Sequence, residues 1–293
     1  MRNSLFSLTL LGGLVAGSHT ASAQYDPNVA QRVVRPLELW PELQAELALK
    51  NSDYLLLVLH GERGTGQYAV RNPPLGFDTR RALVAYEHFW NLNWSWGGTL
   101  RYEADGNFET NSYYSNLVVP EVVVRHRSTI FGGLTFGQRL GVERQFLVSR
   151  QPLGFSAPDG QFWTRLRVDV ERLFPLGAKA DGLALRPRLS YMASTHLRLQ
   201  KDDNAPAERT IQWTSLRAEV GVRLSSVIDF TPWFAYQTSY KQSLVFTDAN
   251  GNPVSGGKTN YVFPTLGLDV RFTIPSAGGS GAKTDHSQLP TQH

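Results

Sequence analysis

Ser194 and His196, separated by one residue, are the pair in this sequence whose types invite covalent chemistry. A serine and a histidine in reach of each other act as nucleophile and base when a carboxylate orients the imidazole. On a strand, however, residues two apart project in parallel about 6 to 7 Å from one another, too far for a direct hydrogen bond. A lipid hydrolase is therefore the alternative reading, and the chain is expected not to be an enzyme. His60, His88 and His126 each stand alone in their segments and are expected to be partnered polar residues. No histidine pair has zinc-ligand spacing, no glycine-rich phosphate loop is present, and the absence of cysteine removes thiolate sites and disulfides. No catalytic, cofactor or metal residue is assigned.

The more abundant chemistry is ionic. Arg101, Glu103, Arg139, Glu143, Arg165, Arg167, Asp169, Glu171, Arg186, Arg188, Arg217, Glu219 and Arg223 recur on one face of alternating segments. Arginine far outnumbers lysine in these segments, and its planar fork suits bidentate pairing with carboxylates. These residues are the expected lining of an enclosed lumen. Such a lining either packs a closed barrel or, through its excess of arginine, favours small anionic or sugar-like solutes in a narrow porin-like path. The formal net charge of +4 is spread strand by strand among acids, which argues against a nucleic-acid footprint.

Period-two alternation must position these residues. From Trp94 to Ala104, the residues Trp94, Trp96, Leu100 and Tyr102 alternate with Ser95, Thr99, Arg101 and Glu103, the pattern of a strand with one apolar and one polar face. The same pattern recurs in Leu134 to Phe146, Gln161 to Phe174, Leu183 to Arg198 and Ser215 to Leu224. Less regular copies are Leu37 to Leu49, Tyr54 to Glu62, Arg81 to Trp90, Tyr113 to Arg127, Phe230 to Phe246 and Asn260 to Phe272. Bacterial single-chain barrels have even strand numbers. The eleven visible segments are therefore read as twelve strands, with ten as the alternative. The missing strand is sought in Val29 to Pro36 or Gly66 to Asp78.

Short turns alternate with longer polar connections near Gly64 to Asp78, Asp105 to Ser112, Ser149 to Gly160, Lys201 to Glu208 and Thr247 to Lys258. That sorting suits an outer-membrane barrel whose short side is periplasmic, with both the N-terminal lead and the C-terminal tail on that side. Trp40, Trp90, Trp94, Trp96, Trp163, Trp213, Trp233 and Tyr236 fall near strand ends and are expected to form interfacial girdles facing outer-membrane lipid.

Residues 1–23 read as an export signal: Arg2, an apolar run from Leu5 to Ala16, and the small residues Ala21-Ser22-Ala23 before Gln24. Residues 24–36 form a lead, 37–272 the barrel, and 273–293 a polar, disordered tail. No run approaches the roughly 18 apolar residues of a membrane-spanning helix, whereas a spanning strand needs only about 9 to 11. The fold class expected is all-β, an antiparallel up-and-down transmembrane barrel in a bacterial outer membrane. A secreted soluble β-sandwich binding protein is the alternative.

The segment Thr265-Leu266-Gly267-Leu268-Asp269-Val270-Arg271-Phe272 resembles the C-terminal signature of barrels inserted by the outer-membrane assembly machinery. The resemblance implies that this machinery is engaged through Thr265, Gly267 and Phe272. Leu39-Trp40-Pro41-Glu42-Leu43-Gln44-Ala45-Glu46-Leu47, a strand ending in Glu62-Arg63, and the Arg-rich strands that follow resemble uncharacterised outer-membrane barrels of the domain-of-unknown-function kind. That likeness implies fold and location over residues 37–272 and brings no catalytic residues.

Overall fold

The structure is a computed structural model that describes residues 26–49, 53–67, 69–70, 72–107, 112–148, 161–176, 182–197 and 209–274. The expected export segment 1–23, Arg198, and the tail from 275 onward lie outside the described residues, as do the connections at 149–160 and 201–208.

Alternating sequence becomes strand throughout: β1 (Gln31–Val34), β2 (Glu38–Ala48), β3 (Tyr54–Gly64), β4 (Thr79–Phe89), β5 (Trp94–Asn107), β6 (Ser112–Thr129), β7 (Thr135–Arg144), β8 (Phe146–Leu147), β9 (Phe162–Glu171), β10 (Phe174–Pro175), β11 (Ala184–Leu197), β12 (Trp213–Arg223), β13 (Ile228–Thr247) and β14 (Pro253–Ile274). Each long strand pairs antiparallel with the next, and β14 returns to β2, with Thr265 opposite Glu38 through Ile274 opposite Leu47. The result is a closed all-β barrel, as expected.

The ring has eleven staves, one fewer than the expected twelve, and each visible alternating segment is one of them. An up-and-down run of odd number must bring its last strand back parallel to its first. The β14–β2 ladder is indeed parallel, and parallel pairing is only slightly weaker per residue than antiparallel. Parity is therefore no condition of closure. The Val29 to Pro36 segment does hold a strand, but β1 lies on β14 in register with residues 259–262 and prolongs the β2 stave. Among its described residues, Gly66 to Asp78 supplies a single 3-10 turn, Pro74–Gly76, and no strand.

Odd parity also corrects the expected placement of the chain ends. β2 begins at the end where long segments join β3 to β4, β7 to β9 and β11 to β12, whereas β14 finishes at the opposite, short-turn end. Parts of two expected loops are strand instead. β13 and β14 run for 20 and 22 residues and meet at a tight turn, and β5 and β6 extend to Asn107 and from Ser112.

The pleat sets the two faces apart. On β2, β3, β6 and β7, Leu43 is 54% exposed, Leu59 62% and Val122 64%, while Glu42 is 2%, Glu121 5% and Arg139 4% exposed. The polar face is the enclosed one and the apolar face is the outer one. The enclosed face is not uniformly polar: Tyr54, Leu56 and Val58 of β3 meet Ala85 and Val123 inside, toward the short turns. The seam is fastened by packing as well as by its ladder. Gly267 lies opposite Trp233, and a Cβ there would stand 2.2 Å from the indole ring. Trp233 in turn stacks edge-on against Trp40 of β2, with ring centroids 5.9 Å apart.

Candidate functional site

All thirteen residues proposed as the lining sit on the enclosed side of their strands, since each shares the inward parity of its neighbours two positions away. Their partners come from the same strand or from strands one or two staves around the ring. Glu143 of β7 accepts from Arg101 Nη2 of β5 at 3.3 Å and lies 2.6 Å from Arg165 Nη2 of β9. Glu121 of β6 accepts from Arg139 Nη2 at 3.1 Å and from Thr99 at 3.2 Å. Gly141 makes room for this carboxylate, since a Cβ there would stand 2.2 Å from Glu121 Oε1.

Nearer the short turns, Arg217 bridges Glu219 at 2.6 Å and Asp269 at 2.7 Å, and Trp233 Nε1 donates to the other Asp269 oxygen at 2.6 Å. Arg188 pairs with Glu219 and approaches Glu171, which also holds Arg127. Arg223 stands 3.9 Å from Asp229 and Arg167 3.8 Å from Asp169. Arg186 packs over Gly221 and forms no ion pair within 4 Å among the described residues. The inward arginines outnumber the acids on β6, β11 and β12. Around β2 to β5 the balance is acidic, with Glu38, Glu42, Glu46, Glu62, Glu87 and Glu103 facing Arg81 and Arg101.

At the long-loop end the enclosed face widens into a cavity of about 560 Å³ whose wall includes Glu38, Trp40, Glu62, Arg81, Trp163, Ser194, His196, Trp213, Tyr240 and Phe263. Arg101, Glu143 and Arg165 also border it and form its floor. Glu103 borders it too, and the sequence reading assigns Arg101, Glu103, Glu143 and Arg165 as lining and places Ser194 and His196 on the polar face of their strand. Trp40, Trp163, Trp213 and Trp233 were expected at the lipid girdles but face inward. Trp90, Trp94 and Trp96 do face outward, at 59%, 43% and 41% exposure. Parity carried the signal: Trp163 is in phase with Arg165 and Arg167, Trp213 with Arg217, and Trp40 with Glu42. Strand-end position alone misassigns them, because each rim of a barrel has an inner as well as an outer side.

The histidines are partnered. His60 lies between Glu42 (3.2 Å) and Glu62 (3.4 Å). His88 meets Asp53 at 3.0 Å, and the His126 ring lies 4.6 Å from that of Trp94. At the short-turn end Asp53 also accepts from the Tyr86 hydroxyl at 2.8 Å and from the Phe89 N–H at 3.2 Å. Partial burial works against its charged form, but the hydrogen bonds from His88, Tyr86 and Phe89 outweigh it and hold the Asp53 carboxyl below its ordinary range.

Ser194 borders the cavity opposite Arg165 and Trp213, while His196 stands opposite Trp163 and stacks on its ring, 5.4 Å between centroids with planes 27° apart. Trp213 stacks similarly on Phe263 at 5.6 Å and 25°, and the Arg209 guanidinium lies 5.0 Å over Tyr240. The indole N–H groups of Trp163 and Trp213 have no hydrogen-bond partner among the described residues. Comparison with protein-family models, curated proteins and solved structures finds no match to this chain.

Proposed function

We propose that this chain is an integral bacterial outer-membrane β-barrel, exported by its N-terminal segment, with a charged interior that is closed at the waist and a binding cup at the long-loop end. The observation that carries the reading is the inverted polarity of the barrel. Exposing side chains such as Leu43, Leu59, Val122, Leu140, Leu166 and Leu189 to water forfeits about 25 cal/mol per Å² of apolar surface, whereas hydrocarbon accepts them without loss. Staves of at least 10 residues are long enough for tilted spanning strands, and the outward Trp90, Trp94 and Trp96 suit one headgroup layer. Thr265, Gly267 and Phe272 fit the proposed role as an assembly signature. The first two face the interior along the seam, and Phe272 points outward near the short turns.

Closure is supported by the burial of the interior. Arg139, Arg165, Arg167, Arg217 and Glu219 are each at most 6% exposed, whereas side chains lining a water-wide pore remain accessible. Within this reading the barrel is a docking or binding protein rather than a hydrolase, with His196 held against Trp163.

One feature favours a narrow anion path as the second reading. Arg167 and Arg186 keep guanidinium N–H groups without hydrogen-bond partners among the described residues, and so add a positive field below the cup. Unboiled and boiled gel mobility of the membrane-extracted protein tests the barrel, with faster migration before boiling expected. Planar-bilayer recording then tests closure. Silence across several lipids is expected, and conductance whose ion selectivity changes in Arg186→Glu would establish the porin-like path instead.

A further inference from the structure

We propose that the cup at the long-loop end binds a neutral saccharide, either as a free small sugar or as the end of a longer glycan. The inference rests on the barrel reading above and adds the class of ligand. It comes from how the wall of the cavity divides. One arc, carried by β9 and β11 to β14, is chiefly aromatic: Trp163 with His196, and Trp213 with Phe263, stacked as two slabs, with Arg209 and Lys241 beside them. The other arc, on β2 to β5, presents Glu38, Glu62, Arg81 and Glu103.

A pyranose ring has the matching duality. Its C–H face packs on flat aromatic surfaces, and its hydroxyls both donate and accept at the edge. Alternating carboxylates and guanidinium groups offer acceptors and donors in turn, and their charges largely offset one another. Arg81 is tied to Glu62 and, at 2.8 Å, to Glu103, while Arg101 and Arg165 share Glu143 at the floor. A net-charged ligand would have to break this pairing; a neutral polyol can join it.

Two further observations point to an occupant. The Trp163 and Trp213 N–H groups lack hydrogen-bond partners among the described residues, and Arg165, 6% exposed, has an Nη1 that makes no hydrogen bond among them and stands 4.0 Å from Glu121. Donors enclosed without acceptors are costly unless something supplies an oxygen. The volume of about 560 Å³ lies within the range of small-ligand pockets, roughly 300 to 1,000 Å³.

The test is isothermal titration of the full-length, detergent-folded protein with maltose, cellobiose, lactose and dextran, with glucuronate as the anionic control. Saturable binding of at least one neutral sugar is expected. Trp163→Phe and Trp213→Phe keep an aromatic face but lose the N–H, and each is expected to weaken binding about tenfold. Retained heat-dependent gel mobility in each variant separates loss of the site from loss of the fold. Binding of dextran without the disaccharides would place the source in a polymer and still support the proposal. A heat-modifiable barrel that binds none of the neutral probes, that binds glucuronate alone, or whose tryptophan variants bind as tightly as the parent would overturn it. A parent protein without the gel shift would overturn the barrel reading first, and this proposal with it.

Discussion

Glu143→Gln is the perturbation that best separates a packed interior from a wet one. The Glu143 side chain is 1% exposed and serves two guanidinium groups, Arg165 at 2.6 Å and Arg101 at 3.3 Å. Arg101 retains Glu103 at 3.3 Å, so the group left stranded is Arg165, whose remaining carboxylate neighbour, Glu121, is 4.0 Å away and already holds Arg139. Removing one partner of a buried pair costs about 3 to 5 kcal/mol, whereas the same pair bathed in channel water is worth about 0 to 1 kcal/mol. A closed interior therefore predicts that Glu143→Gln loses several kcal/mol in equilibrium urea unfolding from phospholipid vesicles. It also predicts that adding Arg165→Met restores most of the loss, because the stranded cation is then gone. A single variant within about 1 kcal/mol of the parent would refute the packed interior and point to a water-filled path.

The remaining predictions concern the seam, the chain ends and the short-turn rim. Gly267→Val forces Trp233 off its seat against β14 and away from Asp269, with an expected loss of about 1 to 3 kcal/mol in the same unfolding assay; an unchanged stability would show that the indole has room to move. In the proposed membrane barrel, epitopes placed at Asp26 and at Asn250 are expected to be labelled from one side and an epitope at Ser226 from the other. Labelling of Asp26 together with Ser226 would contradict the parallel β14–β2 closure. For Asp53 the folded carboxyl titrates below its ordinary 3.8. Its contribution to stability is therefore fully present above that value and is lost as pH falls through the lower folded one. Asp53→Asn should lower stability at neutral pH and narrow the gap to the parent below pH 3.8, and a gap that stays constant with pH would exclude this linkage.

Much of the architecture could be read along the chain because the strand signal is local. In Gln161 to Phe174, the alternation of Arg165, Arg167, Asp169 and Glu171 with Leu166, Val168 and Val170 assigns both the element and its two faces. The same alternation puts Arg165, Arg167 and Glu171 on one face, and all three are buried. The aromatic wall of the cup was read onto the wrong face, although Trp163 and Trp213 follow the same parity as the arginines beside them. Tyr54, Leu56 and Val58 could not be assigned by alternation at all, since both faces of β3 are apolar there and only the fold shows which side is enclosed.

By itself, then, the sequence determined most of the strands and the alternation of their apolar and charged faces, properties of a two-residue period read within a short stretch. The tertiary structure decided what depends on residues far apart in the chain. It set the odd ring of staves and the parallel seam that places the two chain ends at opposite rims. It also set the arc on which tryptophans from β9 and β12 meet Phe263 of β14. These follow from closure and register, which are set by the whole circuit of ladders at once and leave no mark in any single segment.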